Sequence, residues 1–406
     1  MDMFIQISAA VFVTALLAVC LYTFVADLKK DALTEPKVSI AEKFFDWKLL
    51  LKIAGMLFVT RVFTYYMAYG GFILFGGDFE SFEGIWLRCD APRYFQIIND
   101  WYVGSGDYND MVNIAFFPLY PFVVRCFSSV FGNPFWCGIG VSYVSLVMSC
   151  YLMYKLVLLD FDTEIAQRSV KYFLIYPFSM FLSAVYPESL FMALVLGCMY
   201  LLRKKKWVWA SVLAALASAC RLQGLVLVLP IGYEVIVNWR KDGWKWKYLS
   251  CLIAPMGYGA YLLINKIVTG EFFKYLQYQS EYWLHENAFF GKAITYWLPQ
   301  MAADPARTFV NYGPQILMFF VFIGITVFAW RRLKGSYLVY SLGYIVASYS
   351  TLFLLSGPRY MIGAFPAFIA AAVATKNKHV DFVLTLMCIM FYTILVVAYA
   401  FDRNVL

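Results

Sequence analysis

Two acidic residues are candidate catalytic carboxylates, one as a general base and one as a charged group at the membrane boundary. Asp90 lies in the segment WLRCDAPRYF, and Glu188 lies in the short turn of SAVYPESLF. A carboxylate at the mouth of a membrane cavity is partly desolvated, so it can take a proton from a hydroxyl group. Each also has an ordinary interpretation: Asp90 as a solvated loop residue near Arg88 or Arg93, and Glu188 as a helix-start residue favoured by the helix dipole.

Two arginines stand alone at the ends of apolar segments. Arg221 lies in SACRLQG, and Arg359 precedes Tyr360 in SGPRY. Each arginine needs a negative partner, which is either Asp90 or Glu188 of the chain or a phosphate group bound through paired hydrogen bonds. Snorkelling to lipid headgroups is the ordinary alternative. We therefore consider Arg221, Arg359 and Tyr360 as a candidate phosphate site.

A third group mixes aromatic rings with polar side chains. His285 follows Tyr282 and Trp283 in the segment QYQSEYWLHENAFF. Such a mixture suits a sugar, because its apolar faces stack on aromatic rings while its hydroxyls bond amides and carboxylates. An aromatic belt at the membrane interface is an equally good interpretation. The segment is therefore a candidate sugar site.

The composition shows what kind of scaffold must position these residues. Of the 406 residues, 62% are hydrophobic and 14% are charged, whereas soluble domains carry about 25% charged residues. The apolar runs have the length of about 20 residues that a helix needs to cross the hydrocarbon. The sequence predicts an all-α polytopic membrane protein of about twelve transmembrane helices. The predicted spans are 3–26, 49–74, 135–158, 169–184, 187–202, 207–221, 222–238, 248–267, 314–330, 337–355, 359–375 and 380–400.

Basic residues fall on alternate connections between these spans. Since Lys and Arg in short loops stay on the cytoplasmic side, this alternation places both termini outside. Counting the apolar stretch 114–131 as a span would break the alternation, so we interpret it as a helix lying in the external interface. The loops 75–134 and 271–312 are then external, and the candidate residues share that face.

We interpret residues 1–406 as one integral membrane domain. It comprises an extra N-terminal anchor helix with its cytoplasmic connection (1–48), a catalytic module (49–238) and the C-terminal helices (248–406). The sequence contains no phosphate-binding glycine loop and no metal-type cysteine spacing, and its net charge of +8 lies mostly on the predicted inner loops. A nucleotide-dependent enzyme and a nucleic-acid partner are therefore disfavoured.

Four ordered motifs carry a resemblance to a known family. They are WLRCDAPRYFQI, AFFPLYP, FSMFLSAVYPESLFMAL and ALASACRLQGLVLV, with GPRYMIGAFP extending the match. In order and spacing they resemble the GPI mannosyltransferase 2 family and its bacterial relatives, within the GT-C superfamily. The chain departs from that family at Cys89, where a tryptophan commonly precedes the aspartate, and at Leu222 and Gln223 after the motif arginine.

The resemblance implies the GT-C architecture and a polyprenyl-phosphate sugar donor used on the extracytoplasmic face, at the cell membrane if the chain is bacterial. It implies that Asp90 is the catalytic base and that Glu188 and Arg221 match motif residues. The expected reaction moves a hexose, taken to be mannose, to a lipid-linked, glycan or protein acceptor with inversion. No cofactor is expected, and a divalent ion held by Asp90 and Glu188 is the less favoured option.

The remaining candidates are assigned to substrate contacts: Arg93, Tyr94, Tyr186, Gln223, His285, Trp283 and Tyr282. The main alternative function is a secondary transporter or a flippase of lipid-linked sugar, which would show inverted repeats and ionisable groups near mid-membrane. A non-catalytic subunit of an envelope complex is a third interpretation. The isolated charges at the outer ends of the predicted helices favour an enzyme that works at one membrane face.

Overall fold

The computed structural model describes residues 2–29, 45–78, 81–102, 112–305, 308, 312–353 and 356–401. Most of the predicted connection after the first span and the middle of the predicted loop 75–134 lie outside these residues. In the described part of the chain, extended pairing is confined to one bridge between Asn287 and Thr351. The predicted all-α class is confirmed.

We number the described α-helices in chain order. They are α1 (Asp2–Lys29), α2 (Trp47–Leu74), α3 (Phe82–Trp86), α4 (Ala91–Asp100), α5 (Leu119–Phe131), α6 (Pro134–Val157), α7 (Thr163–Ile175), α8 (Glu188–Arg203), α9 (Trp207–Cys220), α10 (Val228–Asp242), α11 (Met256–Thr269), α12 (Lys274–Trp283), α13 (Phe290–Ala303), α14 (Gly313–Phe328), α15 (Gly335–Tyr349), α16 (Gly357–Tyr360), α17 (Phe365–Ala374) and α18 (Lys378–Ala400). Short 3-10 helices lie at Val112–Ala115, Ser179–Ser183, Leu222–Leu227, Trp246–Ile253 and Met361–Gly363.

Several of these helices are suited to a membrane. Among the described residues, six helices are long and apolar enough to cross it, and a bent helix pair raises the number to seven. The six are Ala10–Leu28, Trp47–Leu74, Pro134–Val157, Leu222–Asp242, Trp246–Thr269 and Lys378–Ala400; the bent pair is Gly357–Gly363 with Phe365–Ala374. The chain is therefore an integral membrane protein, while the count of about twelve spans and the interfacial position of α5 stay predictions.

One predicted span, 169–184, is broken in the structure. α7 ends at Ile175, and a 3-10 turn precedes α8. The break has a local cause, because Tyr176 precedes Pro177 and takes an extended backbone (φ −54°, ψ 131°), as residues before proline tend to do. Every residue from 176 to 189 is buried, which is the condition under which non-helical backbone is tolerated at membrane depth.

Side chains of α2 supply hydrogen bonds to this broken segment. Arg61 donates to the Ser183 hydroxyl at 2.9 Å, and the Tyr65 hydroxyl donates to the Ser183 carbonyl at 2.7 Å. Arg61 lies near the middle of α2 and is 5% exposed. The α2 side chains therefore fix the course of the chain just before α8 begins.

The two predicted external loops contact each other. The loop 271–312 contains α12 and α13, and α12 packs against the 3-10 turn Val112–Ala115 of the loop 75–134. The Gln279 amide lies 3.4 Å from the Ala115 carbonyl oxygen that accepts its hydrogen bond. After α12 the chain pairs with residues 350–352, since the Leu352 N–H donates to the Glu286 carbonyl at 2.8 Å. These contacts enclose the space beside α4.

A largely buried ion pair lies at the C-terminal end of α8. Arg203, its last residue, bonds both carboxylate oxygens of Asp160, and the Tyr337 hydroxyl accepts from Arg203 at 2.7 Å. Since each helical residue rises by about 1.5 Å, α8 separates Glu188 from Arg203 by about 22 Å. The basic run after Arg203 and the residues around Glu188 therefore lie at opposite ends of this helix.

Helices α9 and α11 meet at a glycine, which gives a test of the packing. A Cβ on Gly257 would lie 1.7 Å from the Ala215 carbonyl oxygen, whereas a Cβ on Gly259 would meet nothing within 4 Å. We expect Gly257→Ala to lower the free energy of unfolding by about 1–3 kcal/mol or more, the usual cost of overpacking. Gly259→Ala is the matched control. Equal melting temperatures of the two variants in detergent would contradict this close approach.

Candidate active site

Asp90 lies directly before α4, after a residue in the left-handed region. Cys89 has φ +56°, which is uncommon for a residue with a Cβ, and it turns the chain between α3 and α4. Aspartate at this position usually caps the helix with its side chain. Asp90 makes no such capping hydrogen bond in the described part of the chain, so its carboxylate is available to other partners.

The Tyr186 hydroxyl holds the turn that carries Asp90. It accepts the backbone N–H groups of Asp90 at 3.0 Å and Ala91 at 3.2 Å, and it donates to the Arg88 carbonyl at 2.7 Å. Tyr186 is 0% exposed. In this position the Tyr186 hydroxyl bonds the backbone on either side of Asp90, and a substrate contact of Tyr186 stays a prediction.

Glu188, the first residue of α8, lies at the centre of the ion pairs. Its Oε1 accepts from Arg359 Nε at 2.6 Å and from Arg221 Nη1 at 2.5 Å. The side chain is 4% exposed, and its Oε2 is buried with no partner among the described residues. A buried carboxylate is stable only when it is paired and hydrogen-bonded. Glu188 therefore holds both arginines.

Arg359 joins the two carboxylates. Its Nη1 donates to Asp90 Oδ2 at 2.5 Å, while its Nε holds Glu188. Its guanidinium carbon lies 4.5 Å from the ring centroid of Tyr186 and 4.8 Å from that of Phe181, within the range of a cation–π interaction. Two carboxylates and two arginines thus form one connected network without net formal charge.

Breaks in the helices bring these side chains together. Arg221 has an extended backbone (φ −154°, ψ 148°) after α9. The return of the chain requires Gly224, because a Cβ there would lie 2.3 Å from the Ala217 backbone. Arg359 lies in α16, whose axis with the following 3-10 turn is bent by 83° from that of α17. Arg221 therefore lies at the turn between two helices, and Arg359 lies in the first part of a bent helix pair.

The network lines a cavity of about 130 Å³. Asp90, Arg221 and Arg359 contribute to the lining, and Glu188 lies behind the two arginines, in contact with both. The other lining residues include most of the remaining candidates together with residues that the sequence did not single out. They are Tyr94, Gln223, Trp283, His285 and Tyr360 from the prediction, and Ala115, Phe116, Phe117, Cys220, Leu222, Gln279, Thr351, Phe353 and Ser356 in addition.

Three of the predicted substrate contacts, Arg93, Tyr186 and Tyr282, are not among the lining residues. Tyr282 is 40% exposed on α12, and Arg93 is half-buried on α4. Phe116 and Phe117 line the cavity but were not predicted as site residues, although both belong to the motif AFFPLYP, which indicated this segment. Phe116 packs against Trp283, with ring centroids 5.5 Å apart. The side of a short helix that faces a cavity depends on tertiary packing, which sequence spacing does not determine.

Burial sets the charge of two lining side chains. Loss of hydration raises the pKa of the Tyr94 hydroxyl well above its usual range and lowers the pKa of the His285 imidazole, because burial disfavours the charged form of each. Tyr94 is therefore a neutral hydrogen-bond donor, and His285 is uncharged near neutral pH with one N–H and one acceptor nitrogen. The positive charge of the lining comes from Arg221 and Arg359.

No group of three or more His, Cys, Asp or Glu side chains within the described residues is placed to hold a metal ion. Asp90 and Glu188, the pair considered for a divalent ion, each accept hydrogen bonds from arginine. The expectation that the reaction needs no cofactor stays a prediction.

Comparison with known proteins finds one similarity in sequence, over part of the chain, and one similarity in fold, over most of it. Residues 117–257 match the family model described as dolichyl-phosphate-mannose-protein mannosyltransferase. This segment contains Glu188 and Arg221 but neither Asp90 nor Arg359. No functionally curated protein matches the chain significantly.

A solved structure resembles most of the chain in fold. The crystal structure of ArnT from Cupriavidus metallidurans bound to undecaprenyl phosphate aligns with a TM-score of 0.52 at 14% sequence identity. The alignment covers 82% of this chain, and the chain spans 62% of the length of that protein. The chain therefore shares its overall fold with that protein. The resemblances to the GT-C superfamily and to the GPI mannosyltransferase 2 family stay predictions.

Proposed function

We propose that the chain is a membrane glycosyltransferase that moves one hexose, mannose in our proposal, from a polyprenyl-phosphate donor to an acceptor hydroxyl. The observation that carries the proposal is the shared lining of one cavity by Asp90, Arg221 and Arg359. A base for the acceptor and cations for a phosphate are the two groups that such a transfer needs. A one-step displacement then inverts the anomeric centre.

The two arginines suit the phosphate of the donor. Negative charge grows on the leaving phosphate as the glycosidic bond breaks, and guanidinium groups fixed in a water-poor cavity stabilise it. Glu188 keeps Arg221 and Arg359 in place through one shared oxygen. Tyr360, whose ring lies 5.2 Å from the Arg221 guanidinium, is our candidate for a further donor contact. The similarity in fold to a protein crystallised with undecaprenyl phosphate supports a lipid phosphate of this class.

The rest of the lining suits a sugar and its acceptor. Trp283 offers an aromatic face, while Gln223 and the uncharged His285 offer hydrogen-bond donors and acceptors. We propose that Asp90 takes the proton of the acceptor hydroxyl, since its side chain is 22% exposed while that of Glu188 is held inside. Lipid-linked, glycan and protein acceptors all present such a hydroxyl.

We place the cavity on the extracytoplasmic face. The basic run Arg203–Lys206 lies at the far end of α8 from Glu188, and short basic loops stay in the cytoplasm. In this arrangement the basic connections between the twelve proposed spans all fall on the cytoplasmic side, and α5 lies in the external interface. Phe122, Phe127 and Phe131 of α5 are exposed, which supports contact with lipid headgroups.

The direct test is transfer by the purified full-length protein. It would be incubated with radiolabelled polyprenyl-phosphate mannose and separate lipid, glycan and peptide acceptors. Label in a new glycosidic bond supports the enzyme. Movement of the intact donor between leaflets of a vesicle, with no label on any acceptor, would instead identify a flippase and contradict the proposal.

Asp90→Asn tests the base. We expect the variant to fold and to lose transfer by about 10²–10⁴-fold, the usual contribution of a general base. Asp100→Asn is the matched control, because Asp100 lies exposed at the other end of the same helix. Normal turnover of purified Asp90→Asn would remove Asp90 from this role.

Arg359→Lys tests the phosphate contact. Lysine lacks the planar fork of arginine, so we expect the KM for the donor to rise by about tenfold, the effect of losing about 1.4 kcal/mol. The KM for the acceptor should change less. The same substitution at the exposed Arg125 is the control, and an unaltered donor dependence in Arg359→Lys would contradict the assignment.

Tyr186→Phe tests the hold on the Asp90 turn. Removal of the hydroxyl takes an acceptor from the Asp90 N–H and leaves the Ala91 N–H with the Arg88 carbonyl at 3.1 Å. We therefore expect turnover to fall by up to about 10²-fold through misplacement of the base. The donor KM should stay within about threefold of the wild-type value, because the arginines keep Glu188. Tyr66→Phe, on the exposed surface of α2, is the control. A fall in donor affinity with unchanged turnover would contradict this role.

A further inference from the structure

Resting on the proposed function, we infer that Arg359 is shared between the base and the leaving group. Its Nη1 hydrogen bond passes from Asp90 to the donor phosphate during the transfer. The structure shows one half of this exchange, in which Nη1 donates to Asp90 Oδ2 at 2.5 Å.

The two carboxylate partners of Arg359 differ in how firmly they are held. Glu188 is 4% exposed and also accepts from Arg221, whereas the Asp90 side chain is 22% exposed and lines the cavity. Arg359 itself is 3% exposed and contacts the rings of Phe181 and Tyr186. A phosphate in the cavity therefore competes with Asp90 for Nη1, while the Nε bond to Glu188 stays in place.

The bonds made and broken show why a shared arginine is useful. The acceptor O–H bond breaks and its proton goes to Asp90, while the acceptor oxygen bonds to the anomeric carbon. The bond between that carbon and the phosphate oxygen breaks, and its electron pair stays on the phosphate. One unit of negative charge thus leaves Asp90 and appears on the phosphate. Arg359 contacts both positions, so it stabilises the charge before and after transfer.

The exchange also makes the base depend on the donor. A carboxylate that loses a positively charged hydrogen-bond donor becomes a better proton acceptor. Asp90 is released from Arg359 when the donor phosphate has taken the Nη1 bond. An acceptor that enters before the donor meets an Asp90 still paired with Arg359.

The test is the affinity for polyprenyl phosphate, the product that carries the extra charge. In Asp90→Asn the competing negative charge is absent, so we expect this product to bind about tenfold more tightly than to the wild-type protein, although transfer is lost. A tenfold change corresponds to about 1.4 kcal/mol. Binding would be measured by titration of the purified full-length protein in detergent, with thermal unfolding as the check on folding.

Matched variants isolate the contribution of Arg359. Asp100→Asn should bind the product as the wild type does. In an Arg359→Lys background, adding Asp90→Asn should no longer tighten binding, which makes the two effects non-additive. Asp90→Ala provides the same comparison if the Asn variant yields no folded protein.

The outcomes separate this inference from the proposed function. In one outcome, the wild-type protein transfers sugar while the Asp90→Asn variant binds polyprenyl phosphate no more tightly than the wild type does. That result would overturn the shared role of Arg359 and leave the proposed function standing. A wild-type protein that neither transfers sugar nor binds polyprenyl phosphate would overturn the proposed function as well. Tighter binding that persists in the Arg359→Lys background would assign the competition to another cation, and thus contradict the inference.

Discussion

The cost of removing charges from water is the constraint on which the site depends. Glu188 begins a helix inside a largely apolar protein, and such a carboxylate is stable only with partners. Arg221 and Arg359 supply them, and Arg359 also reaches Asp90. Glu188, Arg221 and Arg359 lie beside the breaks after α7, after α9 and between α16 and α17. These breaks allow the three side chains to meet.

Much of this arrangement could be predicted from the sequence. Apolar length indicated an all-helical membrane protein, and six of the described helices are long and apolar enough to cross a membrane. Lone charges indicated Asp90, Glu188, Arg221 and Arg359, since an isolated charge beside an apolar segment requires a partner. The sequence left open whether the arginines meet carboxylates of the chain or a phosphate. The structure shows the arginines paired with Glu188 and Asp90. A phosphate would therefore have to compete with these carboxylates for the same guanidinium groups.

Other features could not be predicted because they depend on tertiary packing. The directions in which the side chains of Arg93 and Tyr282 point depend on how their short helices pack against the rest of the protein. Arg61 is different, because an ionisable residue in the middle of an apolar helix is itself a signal of a buried partner. Its partner is the Ser183 hydroxyl in the broken segment before α8.

The order of the four charges along the chain has a consequence for biogenesis. Asp90, Glu188 and Arg221 are synthesised well before Arg359, which lies in a bent segment near the end of the chain. Until Arg359 is synthesised, Glu188 has Arg221 as its arginine partner, while Asp90 lacks the guanidinium that it contacts in the complete protein. The network of two carboxylates and two arginines therefore becomes electrically neutral only when its last member, Arg359, has been synthesised.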